Sequence, residues 1–131
     1  MKTQFLKIVA LFLAVMVVCP AHAESYAICA NRIVSTSTVT LGTNGLASFS
    51  ITLSEPVSTI KVTSVTLQRK NQSGNWEFAE TLKAPTKTES NSPCYSENKT
   101  YDISHGYTYR IIVVFQIGSE TYTSTSTGTS I

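Results

Sequence analysis

The segment Tyr107–Ile117, YTYRIIVVFQI, restricts the fold of this chain more than any other stretch. Tyr107, Tyr109, Ile111, Val113, Phe115 and Ile117 are all large and apolar, whereas the intervening positions open polar with Thr108 and Arg110. A period of two belongs to a strand with one face in a core. The segment therefore predicts the central strand of a small β domain. Nothing comparable in the chain points to chemistry.

The N-terminus carries a different signal. Lys2 and Lys7 precede the uncharged run Ile8–Val18, and the small-residue tripeptide Ala21-His22-Ala23 follows. This is the pattern of a secretory signal peptide, residues 1–23, cut after Ala23. Eleven apolar residues are too few for a membrane-spanning helix, and no second apolar run follows, so no integral membrane span is expected in the mature chain. Cys19 falls in the removed segment, and Val18 before it is not the small residue that lipid attachment requires.

The remainder, residues 24–131, is the length of one domain able to bury about two-thirds of its unfolded surface. Two of the ten basic residues leave with the signal and all eight acidic ones stay, so the mature chain is formally neutral. Neutrality argues against nucleic acid as a partner. Two cysteines remain, Cys29 and Cys94, and an even pair in an exported chain predicts a disulfide.

In chain order, Ile33–Leu41 suits a first strand, and Gly42-Thr43-Asn44-Gly45 supplies a tight turn. Ala47, Phe49, Ile51 and Leu53 then form the buried face of a second strand, which Glu55-Pro56 is expected to end. The third strand, Thr59–Lys70, changes phase: Ile60 and Val62 point one way, Val65 and Leu67 the other. Either a bulge lies near Thr63-Ser64 or the two ends are covered on different faces. After the polar loop Asn71–Asn75 comes a fourth strand with Trp76, Phe78, Glu80 and Leu82 on one face and Trp76 as its apolar anchor.

Lys83–Ser96 has no periodicity and reads mainly as a long connection, with room for one short edge strand. Asn98–Ile103 is another strand, Ser104-His105-Gly106 turns into the central one, and a Thr-rich strand closes the chain. About seven strands with no helical pattern after the signal argue for an all-β, two-sheet antiparallel sandwich.

The segment Ile103-Ser104-His105-Gly106-Tyr107-Thr108-Tyr109 resembles the approach to strand F of fibronectin type III and other immunoglobulin-like domains. The resemblance implies a tyrosine corner, with the ring of Tyr109 in the core and its hydroxyl bonded to main chain just upstream. More broadly, a signal peptide followed by IVSTSTVTLGTNGLAS, the LQRK…W hairpin, GYTYR and a Thr/Ser-rich end is similar to a group of small secreted Gram-positive proteins of uncharacterised function. That likeness implies export and fold, and no activity.

The residues suggest binding rather than catalysis. His105 is the one histidine after the signal, and beside Gly106 it reads as a turn residue; no orienting acid or G-x-S-x-G motif accompanies it. Glu97 and Asp102 are too few oxygens for calcium, and no metal or other cofactor is expected. Tyr26, Tyr95, Tyr101 and Tyr122 are the tyrosines left for a surface, which keeps a carbohydrate-binding module open as an alternative, with a small hydrolase behind it. Ile112 and Val114, on the even face of the central strand, form a possible partner patch.

Tracing strand directions brings the Glu55-Pro56 turn, the Gly118 turn, the N-terminal arm and the Lys83–Ser96 connection to one pole, where a Cys29–Cys94 bond would pin the connection. Asn91 and Tyr95 would face a partner there. The expectation is a secreted, monomeric, non-catalytic binding module acting at or near a bacterial cell surface, with a protein or glycan ligand.

Overall fold

The computed structural model describes residues 33–131. They form seven strands: β1 (Val34–Leu41), β2 (Leu46–Lys70), β3 (Trp76–Leu82), β4 (Thr88–Thr100), β5 (Thr108–Ile117), β6 (Glu120–Thr125) and β7 (Thr129–Ser130). All pairings are antiparallel, and the strands make one curled sheet. Among the described residues no helix is long and apolar enough to cross a membrane.

β2 is the spine. Its first part, Ala47 to Leu53, pairs with β1 on one edge, while Leu46 to Thr52 pair with the second half of β4 on the other. Its second part pairs with β5 from Ile60 to Arg69, opposite first the start of β4 and then β3. The expected end at Glu55-Pro56 is corrected: the strand runs on. From Thr52 to Val57, β2 advances five positions while β4 advances two, from Cys94 to Ser92, so Ser54, Glu55 and Pro56 have no ladder partner and the missing proline N–H leaves no bond unmade.

This bulge folds β2 back on itself. Ile51 pairs with Tyr95 and Val62 with Phe115, positions about 36 Å apart on a straight strand. Yet the Tyr95 and Phe115 rings meet edge to face with centroids 6.1 Å apart. The faces turned inward by this curl share a single core, with Phe49, Ile60, Val65, Ile111, Val113 and Phe115 at 0–1% exposure.

The phase change in the second part of β2 is a one-residue bulge. Register against β5 shifts between Val62 and Ser64, so Val62 and Val65 both face inward, and the displaced Thr63 hydroxyl donates to the Val114 carbonyl at 3.3 Å. A second bulge, at Ala79 of β3, was not readable. It leaves Leu82 buried opposite Val65 but sends Phe78 and Trp76 to the outer face opposite Gln68 and Lys70. Trp76 is therefore not a core anchor, and Phe78 is 65% exposed.

The long connection is also corrected. β4 begins at Thr88, and only Lys83–Lys87 lies outside a strand. That segment runs beside the second half of β4: the Tyr101 hydroxyl donates to the Lys83 carbonyl at 2.6 Å, and Lys87 Nζ to the Ser96 carbonyl at 2.7 Å. Pro85 and two lysines beside a strand edge discourage further pairing. β4 lacks an apolar rhythm because it is a polar edge strand with one buried side chain, Tyr95.

Candidate functional site

The sheet formed by β3, the second part of β2 and β5 ends beyond the core, and its last residues stay polar. Arg69 sits between Glu77 of β3 and Tyr109 of β5 on the inner face. Its Nη2 donates to Glu77 Oε1 at 3.2 Å, and its guanidinium lies 4.6 Å from the centroid of the Tyr107 ring. Tyr107 was expected in the core but precedes the first residue of β5. The inward-facing row has run out there, and the ring is 46% exposed with its edge contact to Tyr109.

Tyr109 itself is buried, and its hydroxyl donates to the Ser104 carbonyl at 2.8 Å. Burial raises the Tyr109 phenol above its ordinary pKa, with nearby Arg69 opposing the rise.

Two clefts flank the Arg69–Tyr107 stack. One, of about 520 Å3, is walled by Lys70, Asn71 and Glu77 on one side and Gly106 and Thr108 on the other. The second, of about 430 Å3, lies toward Glu80 and Ser104. Asn71 is held in place because its Oδ1 accepts from the N–H groups of Ser73 and Asn75, both at 3.0 Å. Its amide nitrogen has no acceptor among the described residues.

The outer face of the same sheet end repeats the motif. Arg110 lies 4.5 Å from the centroid of the Trp76 ring, with Lys70 Nζ at 5.6 Å, and Arg110 Nε donates to Gln68 Oε1 at 2.7 Å. Gly128 lets the chain between β6 and β7 approach this indole: a Cβ there would come within 3.1 Å of the ring. Ile112 and Val114 lie farther along this outer face, half-buried opposite Thr66 and Ser64.

The opposite pole also has a cleft, about 360 Å3, between Pro56, Val57, Ile117 and Gly118, with Ile33 on its wall. Two residues expected to present a partner surface near it are separated by the fold. Asn91 is exposed within β4, with φ +49°. Tyr95 is 1% exposed, and its removal from the surface set is a correction: an isolated aromatic in a polar edge strand is drawn inward by Phe115. Tyr101 is buried as well, Tyr122 is half-buried, and Tyr26 lies outside the described residues.

Burial pushes the phenols of Tyr95 and Tyr101 up to about 12. The Tyr101 hydroxyl has its acceptor at Lys83, whereas that of Tyr95 has no hydrogen-bond partner.

Cys94 carries an exposed thiol, with Ser92 Oγ 3.9 Å from its sulfur and no disulfide among the described residues. Cys29 lies outside them. His105 is exposed in the turn before Tyr107, and among the described residues no three His, Cys, Asp or Glu side chains group to hold a metal ion. Comparison with protein families, with curated proteins and with solved structures finds no match to this chain.

Proposed function

We propose that this chain is an exported, non-catalytic binding module on an immunoglobulin-like two-layer sandwich, working at or near a bacterial cell surface. The sandwich reading rests on the partners of β2: β1 and the second half of β4 flank its first part, β3 and β5 most of its second, with β6 beyond β5 and the start of β4 crossing from one to the other at Val57–Lys61. Such a division corresponds to the two sheets of an immunoglobulin-like domain, and the Tyr109–Ser104 bond has the form of its tyrosine corner. The charged, apolar and small-residue pattern of residues 1–23 supports export.

One observation carries the binding reading: Tyr107 is a large ring left half in solvent, fixed by Arg69 and Tyr109, between two open clefts. An aromatic held in one orientation by its neighbours pays little entropy to meet a ligand. The test is co-sedimentation of the purified protein with native cell-envelope material. The wild type should be retained and Tyr107→Ala released, with unchanged circular dichroism. Retention undiminished by Tyr107→Ala but lost in Ile112→Ser/Val114→Ser would move the surface to the outer face. No retention of the wild type would remove the envelope-binding role.

A further inference from the structure

We propose that the Tyr107 cleft takes a neutral oligosaccharide, with the tyrosine ring as stacking platform and Asn71 and the Arg69–Glu77 pair as hydrogen-bonding walls; this rests on the binding reading above. A sugar ring has an apolar C–H face and a polar rim, so it needs an aromatic plane beside fixed donors and acceptors. Tyr107 supplies the plane. Asn71 offers an amide nitrogen whose position is set by the two N–H groups held on its own oxygen. Glu77, engaged through one oxygen by Arg69, keeps the second as an acceptor.

Charge gives an anion only a weak hold. The strongest cation at the cleft, Arg69, is paired with Glu77, and Lys70 on the cleft wall, with its Nζ 5.6 Å from the Trp76 ring centroid, leaves a net single positive charge among these residues. A protein partner is also disfavoured. Among the described residues the other exposed large apolar side chains, Leu46 and Phe78, lie at the start of β2 and on the outer face, so Tyr107 is not part of an apolar patch formed by them. The cleft volume of about 520 Å3 falls within the range of small-ligand sites.

The test is an amide-resolved NMR titration of the isotopically labelled protein with cellohexaose, laminarihexaose, chitohexaose and a linear mannan fragment. At least one should give saturable shifts centred on Asn71, Gly106, Tyr107 and Thr108. Raising NaCl from about 0.05 to about 0.5 M should not weaken them. Tyr107→Ala should weaken binding at least about fivefold at unchanged melting temperature, and Glu77→Gln should weaken it less.

The inference is overturned if no neutral oligosaccharide moves these amides, if Tyr107→Ala binds as the wild type does, or if only an anionic polysaccharide binds and salt abolishes it. Envelope retention that depends on Tyr107, combined with silence toward all four sugars, would remove the glycan and leave the binding module standing. Loss of both would remove both.

Discussion

The hydroxyl of Tyr109 reaches back five residues to donate to the carbonyl of Ser104 at 2.8 Å, tying the start of β5 to the turn that delivers it. The Tyr101 hydroxyl likewise holds Lys83, while that of Tyr95, just as deep, bonds to nothing. Removing a donor leaves a part-buried acceptor without its partner; removing an unpaired hydroxyl strands nothing. Tyr109→Phe and Tyr101→Phe should each cost about 1–2 kcal/mol in urea unfolding, and Tyr95→Phe should be neutral or stabilising by up to about 1 kcal/mol. The reverse ranking would remove the corner from Tyr109.

The same phenols set a behaviour in alkali. Tyr95 and Tyr101 titrate near 12 in the folded chain against 10 in the unfolded one, so the unfolded state loses its protons first. Their contribution to stability is complete below pH 10 and falls as pH rises toward 12. Denaturation midpoints should be flat up to about pH 9 and decline above 10. Tyr95→Phe should make that decline shallower, and an unchanged slope would contradict the burial of Tyr95.

Gly45 has φ +82°, and a Cβ on it would collide with the carbonyl oxygen of Tyr101. Gly74, at φ +81°, faces open space. Gly45→Ala should therefore cost more than about 3 kcal/mol, because strain and clash add, and Gly74→Ala only about 1 kcal/mol of strain. Thermal unfolding of the two variants separates the effects.

Trp76 rides on Arg110 at the outer face while Phe115 is fully buried. Phe115→Ala should cost about 3–5 kcal/mol and Trp76→Ala markedly less, about 1–2 kcal/mol. Phe78→Ser should lie within about 0.5 kcal/mol of wild type. Arg110→Ala should shift the fluorescence of Trp76, the chain's sole tryptophan, with little loss of stability.

The expected Cys29–Cys94 bond is within reach of the chain. Val34 and Cys94 sit on strands flanking β2 at adjacent rungs, Leu53 and Thr52, about 10 Å apart across the sheet. The five residues from Cys29 to Val34 can span about 17 Å. Mass spectrometry, under non-reducing conditions, of the protein expressed from its full-length sequence should find a Cys29–Cys94 peptide and an N-terminus at Glu24. Two free thiols would sink the bond, and a lipid on Cys19 would sink the cleavage site.

Legibility in the sequence followed how one-sided each strand is. β5 is legible because Tyr109, Ile111, Val113, Phe115 and Ile117 all face one core, whereas the phase slip from Val62 to Val65 leaves a bulge as one of two readings, which the pairing with β5 decides. β4 is not legible, since an edge strand with a single inward side chain has no period to detect. The Ala79 bulge was invisible for a different reason. Trp76, Phe78 and Leu82 all occupy even positions in the sequence, and only pairing with β2 reveals that they fall on opposite faces. Tyr107 extended the apolar row by one position past the sheet's end, so the residue now central to the site was taken for core.

The continuity of β2 also dictates the order in which the domain can be completed. Residues 46–70 are made early, yet the strand that closes the second part of β2, β5, lies some 40 to 60 residues further along the chain. Until Ile117 has emerged, one long flank of β2 has no mate, and local hairpins cannot supply one. Assembly must therefore wait until β5 is complete, which disfavours stepwise folding on the ribosome.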